Sequence, residues 1–124
     1  MGRTRILIVE DEPNIIESLS YILRRADFEV TIAANGLEAL ERLRGTKFSA
    51  IILDVMMPGM SGFDVLRQVR ADRNLSGLPV IVLTAKGQSR DRQTASEAGA
   101  TEFITKPFSN ADIIACLRQV TGTG

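Results

Sequence analysis

Three stretches of the chain are unbroken apolar runs that end in polar groups: Ile6-Leu7-Ile8-Val9, Ile51-Ile52-Leu53 and Val80-Ile81-Val82-Leu83. Runs this short, rich in branched side chains and bounded by turn residues, predict strands buried on both faces. Val30-Thr31-Ile32-Ala33 and Phe103-Ile104-Thr105 carry polar interruptions and predict weaker, edge-type strands. Between them the apolar spacing changes to that of helices. Ile15, Leu19, Ile22, Leu23 and Ala26 share one face of a first helix, with Pro13 in its first turn, where a missing N–H costs nothing. Asn35-Gly36 opens a second helix, with Ala39, Leu40 and Leu43 inward and Gly45 at its close. Phe63, Leu66 and Val69 give a third its stripe after a loop from Gly59 to Gly62. The fourth, Gln88 to Ala98, is polar apart from Ala95 and Ala98 and should dock most weakly. Ile113, Ile114, Leu117 and Val120 line the last helix, capped by Ser109 or Asn110.

Strand and helix thus alternate throughout, which predicts a parallel sheet covered on both faces and joined by right-handed crossovers. With the unbroken runs central and the interrupted ones at the edges, the expected fold is α/β. It is a flavodoxin-like, doubly wound five-stranded parallel sheet of strand order 2-1-3-4-5. At 124 residues the chain is expected to form one domain, 1–124, with its core at about 5–120. Lys+Arg and Asp+Glu both total 15, so no global field favours nucleic acid or an anionic membrane. No apolar run has the length of a membrane span and no signal pattern follows the polar lead Met1-Gly2-Arg3-Thr4, so a cytoplasmic address is expected. The lone Cys116 rules out an internal disulfide and reads as a small packing residue.

In such sheets ligands bind outside the carboxyl ends of the strands, where the strand order reverses. The first strand delivers Glu10 and Asp11 there, the third Asp54, the fourth Thr84 and the fifth Lys106. Each has a plain reading in isolation: Glu10-Asp11-Glu12 as an acidic helix start, Thr84 as a strand-end hydroxyl, Lys106 as a solvated loop lysine. Together, on adjacent strand ends, they form one polar rim. Crowded carboxylates repel unless a hard divalent cation sits among them, and oxygen ligands without histidine favour Mg²⁺ over zinc. Such a site beside a lysine suits a phosphoryl group, with Asp54 as carboxylate nucleophile, Lys106 neutralising oxygens and Thr84 donating a hydrogen bond.

These residues resemble the receiver domain of two-component response regulators over about Arg5 to Val120. The resemblance rests on Val9-Glu10-Asp11-Glu12, Leu53-Asp54-Val55-Met56-Met57-Pro58, Gly62, Thr84-Ala85 and Lys106-Pro107-Phe108. It implies that Glu10, Asp11, Asp54 and the backbone carbonyl of Met56 hold Mg²⁺, and that Met56 and Ala85 offer backbone contacts to the phosphoryl group. It implies a phosphoryl donor on a partner sensor histidine kinase or histidine phosphotransfer protein, and a cis bond at Lys106-Pro107. The domain would act on itself, by transfer to its own Asp54 and autodephosphorylation, and not as an enzyme on a separate substrate. Thr84 and Phe103 would form the switch, changing the surface from about Ala85 to Gln119 for a downstream effector. Phe103 lacks a tyrosine hydroxyl, so packing alone would hold it. Met56 stands where the family places a residue that controls water access, and its apolar bulk implies slow loss of the phosphoryl group. The Lys86-Gly87 and Lys106-Pro107-Phe108-Ser109 contexts resemble receivers that precede DNA-binding domains and dimerise through the last helices when phosphorylated. Direct nucleic-acid and membrane contacts by this domain are not expected.

Two rivals of other classes fit less well. A haloacid-dehalogenase-type phosphatase needs a second Asp two residues after the nucleophile, where this chain has Met56. A flavin carrier of the same fold needs a Ser/Thr/Gly loop after the first strand, and Glu10-Asp11-Glu12-Pro13 would repel the flavin phosphate. A degenerate, interaction-only receiver is disfavoured because every chemical position is filled.

Overall fold

A computed structural model describes residues 4–57, 59–85 and 89–122. Pro58, Lys86-Gly87, Gln88 and the lead Met1-Gly2-Arg3, all part of the expectations above, lie outside the described residues. The elements are β1 (Arg5–Val9), α1 (Pro13–Arg25), β2 (Glu29–Ala33), α2 (Gly36–Gly45) and β3 (Ala50–Asp54). They continue with α3 (Gly62–Ala71), β4 (Val80–Ala85), α4 (Ser89–Ala98), β5 (Glu102–Lys106) and α5 (Asn110–Thr121). The strands form one parallel sheet in the order β2-β1-β3-β4-β5. The interrupted runs are its edges, as their polar residues require.

Because strand side chains alternate, each central strand feeds two cores. Leu7, Val9, Ile51, Leu53, Val80 and Val82 face one side and pack with Leu40 and Leu43 of α2, Val65, Leu66 and Val69 of α3 and Ala95 of α4. Ile6, Ile8, Ile52, Ile81, Leu83 and Ile104 face the other and meet Leu19 and Leu23 of α1 and Ile113 and Leu117 of α5. A strand with both faces covered must be apolar along its buried run, as residues 6–9, 50–53 and 80–83 are, with Arg5, Asp54 and Thr84 at or near the strand ends.

The helix starts are set locally. Glu12 caps α1, its carboxylate accepting from the N–H groups of Asn14 and Ile15, with Pro13 next in the chain. Asn35 Oδ1 accepts from the Glu38 N–H while Glu38 Oε1 reaches back to the Ala34 N–H at 2.7 Å. This reciprocal arrangement satisfies one orphaned donor of α2 and the N–H of the residue before its cap. Ser61 caps α3 and Ser109 caps α5, which resolves the choice between Ser109 and Asn110. For α2, Gly45 is the last helical residue and Thr46 the cap. Helix α4 buries Ala95 alone and is the most thinly docked, as its polar composition predicts.

Arg70, in the last turn of α3, ties together the loops at the amino ends of β4 and β5. Its guanidinium donates to the carbonyls of Gly99 (2.8 Å), Ser76 (3.1 Å) and Leu78 (2.6 Å) and to Thr101 Oγ1 (3.2 Å). Gly99 lies at φ +103°, and a Cβ there would stand 2.9 Å from the Arg70 side chain. Glycine is therefore required at the α4–β5 turn for conformation and for space.

Candidate functional site at the carboxyl rim

The rim follows from strand register. Val9 pairs with Leu53, Asp54 with Leu83, Thr84 with Thr105, and Ala85 with Lys106, so four strands end at nearly one level. Asp54 is the last residue of β3, only 2% exposed, and Glu10 directly follows β1 at 0%. Lys106 starts two strands away from Asp54, about 10 Å at ordinary strand spacing. Its flexible stem bridges that gap, and Nζ lies 2.9 Å from Asp54 Oδ2 and 3.9 Å from Glu10 Oε2. The Lys106-Pro107 bond is cis, as the family resemblance implies.

Asp54 Oδ1 accepts the Met56 N–H at 2.9 Å, which turns the backbone just past β3 over the carboxylate. Gly62 allows this loop to fold close. A Cβ on it would stand 2.5 Å from the Asp54 carbonyl oxygen and 2.6 Å from Val55 Cα, both backbone atoms that cannot yield. The start of α3 therefore seats directly against the end of β3 only with glycine there.

One carboxylate oxygen from each of Glu10, Asp11 and Asp54 lies within 4.8 Å of the others. Glu10 and Asp54 are buried and Asp11 exposed, so the cluster opens to solvent on one side. Glu10 Oε1 accepts the Glu12 N–H at 3.2 Å, whereas Oε2 is buried without a hydrogen-bond partner among the described residues. The Glu10 carboxyl is pushed from 4.5 up to about 8 by burial first, then by a hydrogen bond to and repulsion from Asp54; the Glu12 N–H and Lys106 oppose the rise. The proton retained on Glu10 relieves the charge buried beside Asp54. A hard cation is the alternative neutraliser, and an all-oxygen donor set with one orphaned buried oxygen fits Mg²⁺.

Thr84 is fully buried at the end of β4, and its Oγ1 also has no partner among the described residues. A buried hydroxyl without a hydrogen bond is costly and suits a group that gains an acceptor in another state. Phe103 lies on β5, on the same sheet face as Thr84, and is half-buried against the core beneath α3 and α4. Met56 is 66% exposed at the rim, whereas Met57 packs into the core and Met60 is half-buried against it. Ala85 is exposed at the end of β4. Cys116 is half-buried on α5, its thiol raised to about 11 by burial and then by Glu102, consistent with a packing role. Every candidate residue read from the sequence is thus placed at the rim or on the strand beside it.

Two contacts were beyond sequence reasoning. Arg92, on the polar helix expected to dock most weakly, has its guanidinium carbon 5.3 Å from the Phe103 ring centre. Packing alone therefore does not hold Phe103. Arg70 carried no signal either, because its acceptors are mostly backbone carbonyls from other segments.

A doubly wound parallel α/β domain with an acidic cluster at its strand-order reversal, a strand-end aspartate and a lysine bonded to it defines the class of the molecule. The comparisons agree. The response regulator receiver domain profile matches residues 6–118. The sensory transduction protein RegX3 of Mycolicibacterium smegmatis is 40% identical over 121 residues, which is 98% of this chain and 52% of that protein. A crystal structure described as that of a response regulator from Chloroflexus aurantiacus aligns with a TM-score of 0.95 at 32% identity, covering 98% of this chain and 99% of that one. The receiver domain of sensor histidine kinase PA1611 from Pseudomonas aeruginosa, solved with a magnesium ion coordinated in its active-site cleft, aligns with a TM-score of 0.91 at 30% identity over 98% and 99% of the two chains. The chain belongs to the response regulator receiver domain family of two-component systems. It spans about half the length of the curated relatives it matches. Among the described residues no helix is long and apolar enough to cross a membrane.

Proposed function

We propose that the domain accepts a phosphoryl group on Asp54 from a phosphohistidine of a sensor histidine kinase or histidine phosphotransfer protein. The observation that carries this reading is the buried Asp54 carboxylate at the end of β3, with Lys106 Nζ at 2.9 Å and the carboxylates of Glu10 and Asp11 within 4.8 Å. An oxygen of Asp54 attacks phosphorus, the new O–P bond forms as the donor's N–P bond breaks, and the imidazole departs with the electron pair. Lys106 neutralises the oxygens of the transferring group, and the Met56 and Ala85 N–H groups are the backbone donors beside it. Glu10, Asp11, Asp54 and the Met56 carbonyl would hold Mg²⁺. Bound there, the ion would offset carboxylate repulsion and draw in the phosphoryl oxygens. The chemistry is self-directed: the domain modifies and later hydrolyses its own acyl phosphate.

The Thr84 hydroxyl, without a partner among the described residues, then gains the phosphoryl group as acceptor, and Phe103 follows into the space that it leaves. The surface of α4, β5 and α5 changes for a downstream effector, with a phosphorylation-dependent homodimer as one such output.

Mass measurement after treatment with acetyl phosphate tests the acceptor. The expected result is a single phosphoryl adduct that needs Mg²⁺ and is lost in Asp54→Ala, with the variant still folded. An undiminished adduct in Asp54→Ala overturns the assignment.

A further inference from the structure

We infer that Arg92 is a positioning residue for the switch: its guanidinium stacks on Phe103, holds the ring in the resting pose and so opposes activation. The inference rests on the switch reading above and names its restraint. Three observations carry it. First, the guanidinium carbon is 5.3 Å from the ring centre, inside the range where a cation is drawn to an aromatic face. Second, this stack is the charged side-chain tie of α4 to the sheet among the described residues, on a helix that otherwise buries Ala95 alone. A weakly docked helix is easily moved, so one contact has leverage on its position.

Third, the register places the ring where its movement is coupled to the site. Val82 pairs with Phe103 and Thr84 with Thr105, so Phe103 and Thr84 share a sheet face one pleat apart. Thr84 Oγ1 is buried and has no hydrogen-bond partner among the described residues, so a pose that gives it an acceptor is the better satisfied one. Phe103 has no phenolic hydroxyl with which to lock itself by a hydrogen bond. The Arg92 cation supplies the polar lock instead, from α4 and not from the aromatic side chain. An inward swing of the ring breaks the stack and frees α4 from β5, which links the phosphoryl site to the α4 surface.

A single exposed cation–π contact shifts a two-state equilibrium by about two- to fivefold. The test uses protein labelled with fluorophenylalanine, with the Phe103 resonance assigned by Phe103→Leu, and beryllofluoride with Mg²⁺ as the phosphoryl mimic. Arg92→Met keeps an apolar stem and removes the charge; Arg92→Lys retains a cation. The expected result is that beryllofluoride moves the ring resonance in the wild type. Arg92→Met should move it partway without the mimic and tighten mimic binding by about two- to fivefold, with Arg92→Lys close to wild type. An unmoved resonance in Arg92→Met, with the wild-type ring still responding to the mimic, overturns the latch and leaves the switch standing. A wild-type ring that ignores the mimic defeats the switch reading, and the latch with it.

Discussion

Glu10 shows how one buried side chain sets a balance that no other position does. Its carboxyl is raised from 4.5 to about 8, chiefly by burial and then by Asp54. Between those values the folded, metal-free protein holds a proton that the unfolded chain has released. Stability therefore falls as pH rises from about 4.5 through about 8, and the full penalty is present above that window. In chelator, the stability of Glu10→Gln relative to wild type should rise by more than about 1 kcal/mol between pH 5 and pH 8.5, read from urea midpoints. Mg²⁺ should shrink that difference, because it binds the ionised form and releases the proton. A flat difference across the window would mean that Glu10 ionises like a surface carboxylate. The acidic residues were legible as a cluster from their places at strand ends. The raised carboxyl of Glu10 was not, since it depends on a distance across β1 and β3 and on exclusion of water.

At the scale of elements, caps and apolar stripes lie within a few residues of the helices they start, so Pro13, Asn35 and Ser109 could be read directly. Ties between elements have no local signature. Arg70 bonds to acceptors at Gly99 and Thr101 that become near neighbours only when β4 and β5 pair. Burial lowers the Arg70 pKa from its ordinary value, and two of its acceptors, the Gly99 and Leu78 carbonyls, are part-buried. Arg70→Met keeps the stem and removes the bonds. It should lower the free energy of unfolding by about 2–3 kcal/mol, and amide exchange should speed up in the α3–β4 and α4–β5 loops. Acetyl phosphate labelling of Asp54 should persist, because these loops lie at the amino ends of the strands, opposite the carboxyl rim. A loss under about 0.5 kcal/mol would show that solvent replaces the guanidinium freely.

For the molecule as a whole, Mg²⁺ is expected to bind the folded rim and not the unfolded chain, where the three carboxylates are scattered. Binding to the native state alone stabilises by about 2.7 kcal/mol at a hundredfold excess over Kd. The unfolding midpoint of the wild type should climb with millimolar Mg²⁺, and that of Asp54→Ala should climb much less. Equal responses would place the ion elsewhere. The amino-acid sequence by itself determined the alternation of strands and helices, the central and edge strands, and which polar groups stand at strand ends, because each depends on side-chain period and local capping. Tertiary structure alone decided the 2.9 Å contact of Lys106 with Asp54, the backbone approach that only Gly62 permits, the anchoring of loops by Arg70 and the stacking of Arg92 on Phe103. Those contacts join residues distant in the chain, and their existence depends on strand register and helix placement, which cooperative packing of both cores sets and no short window of sequence contains.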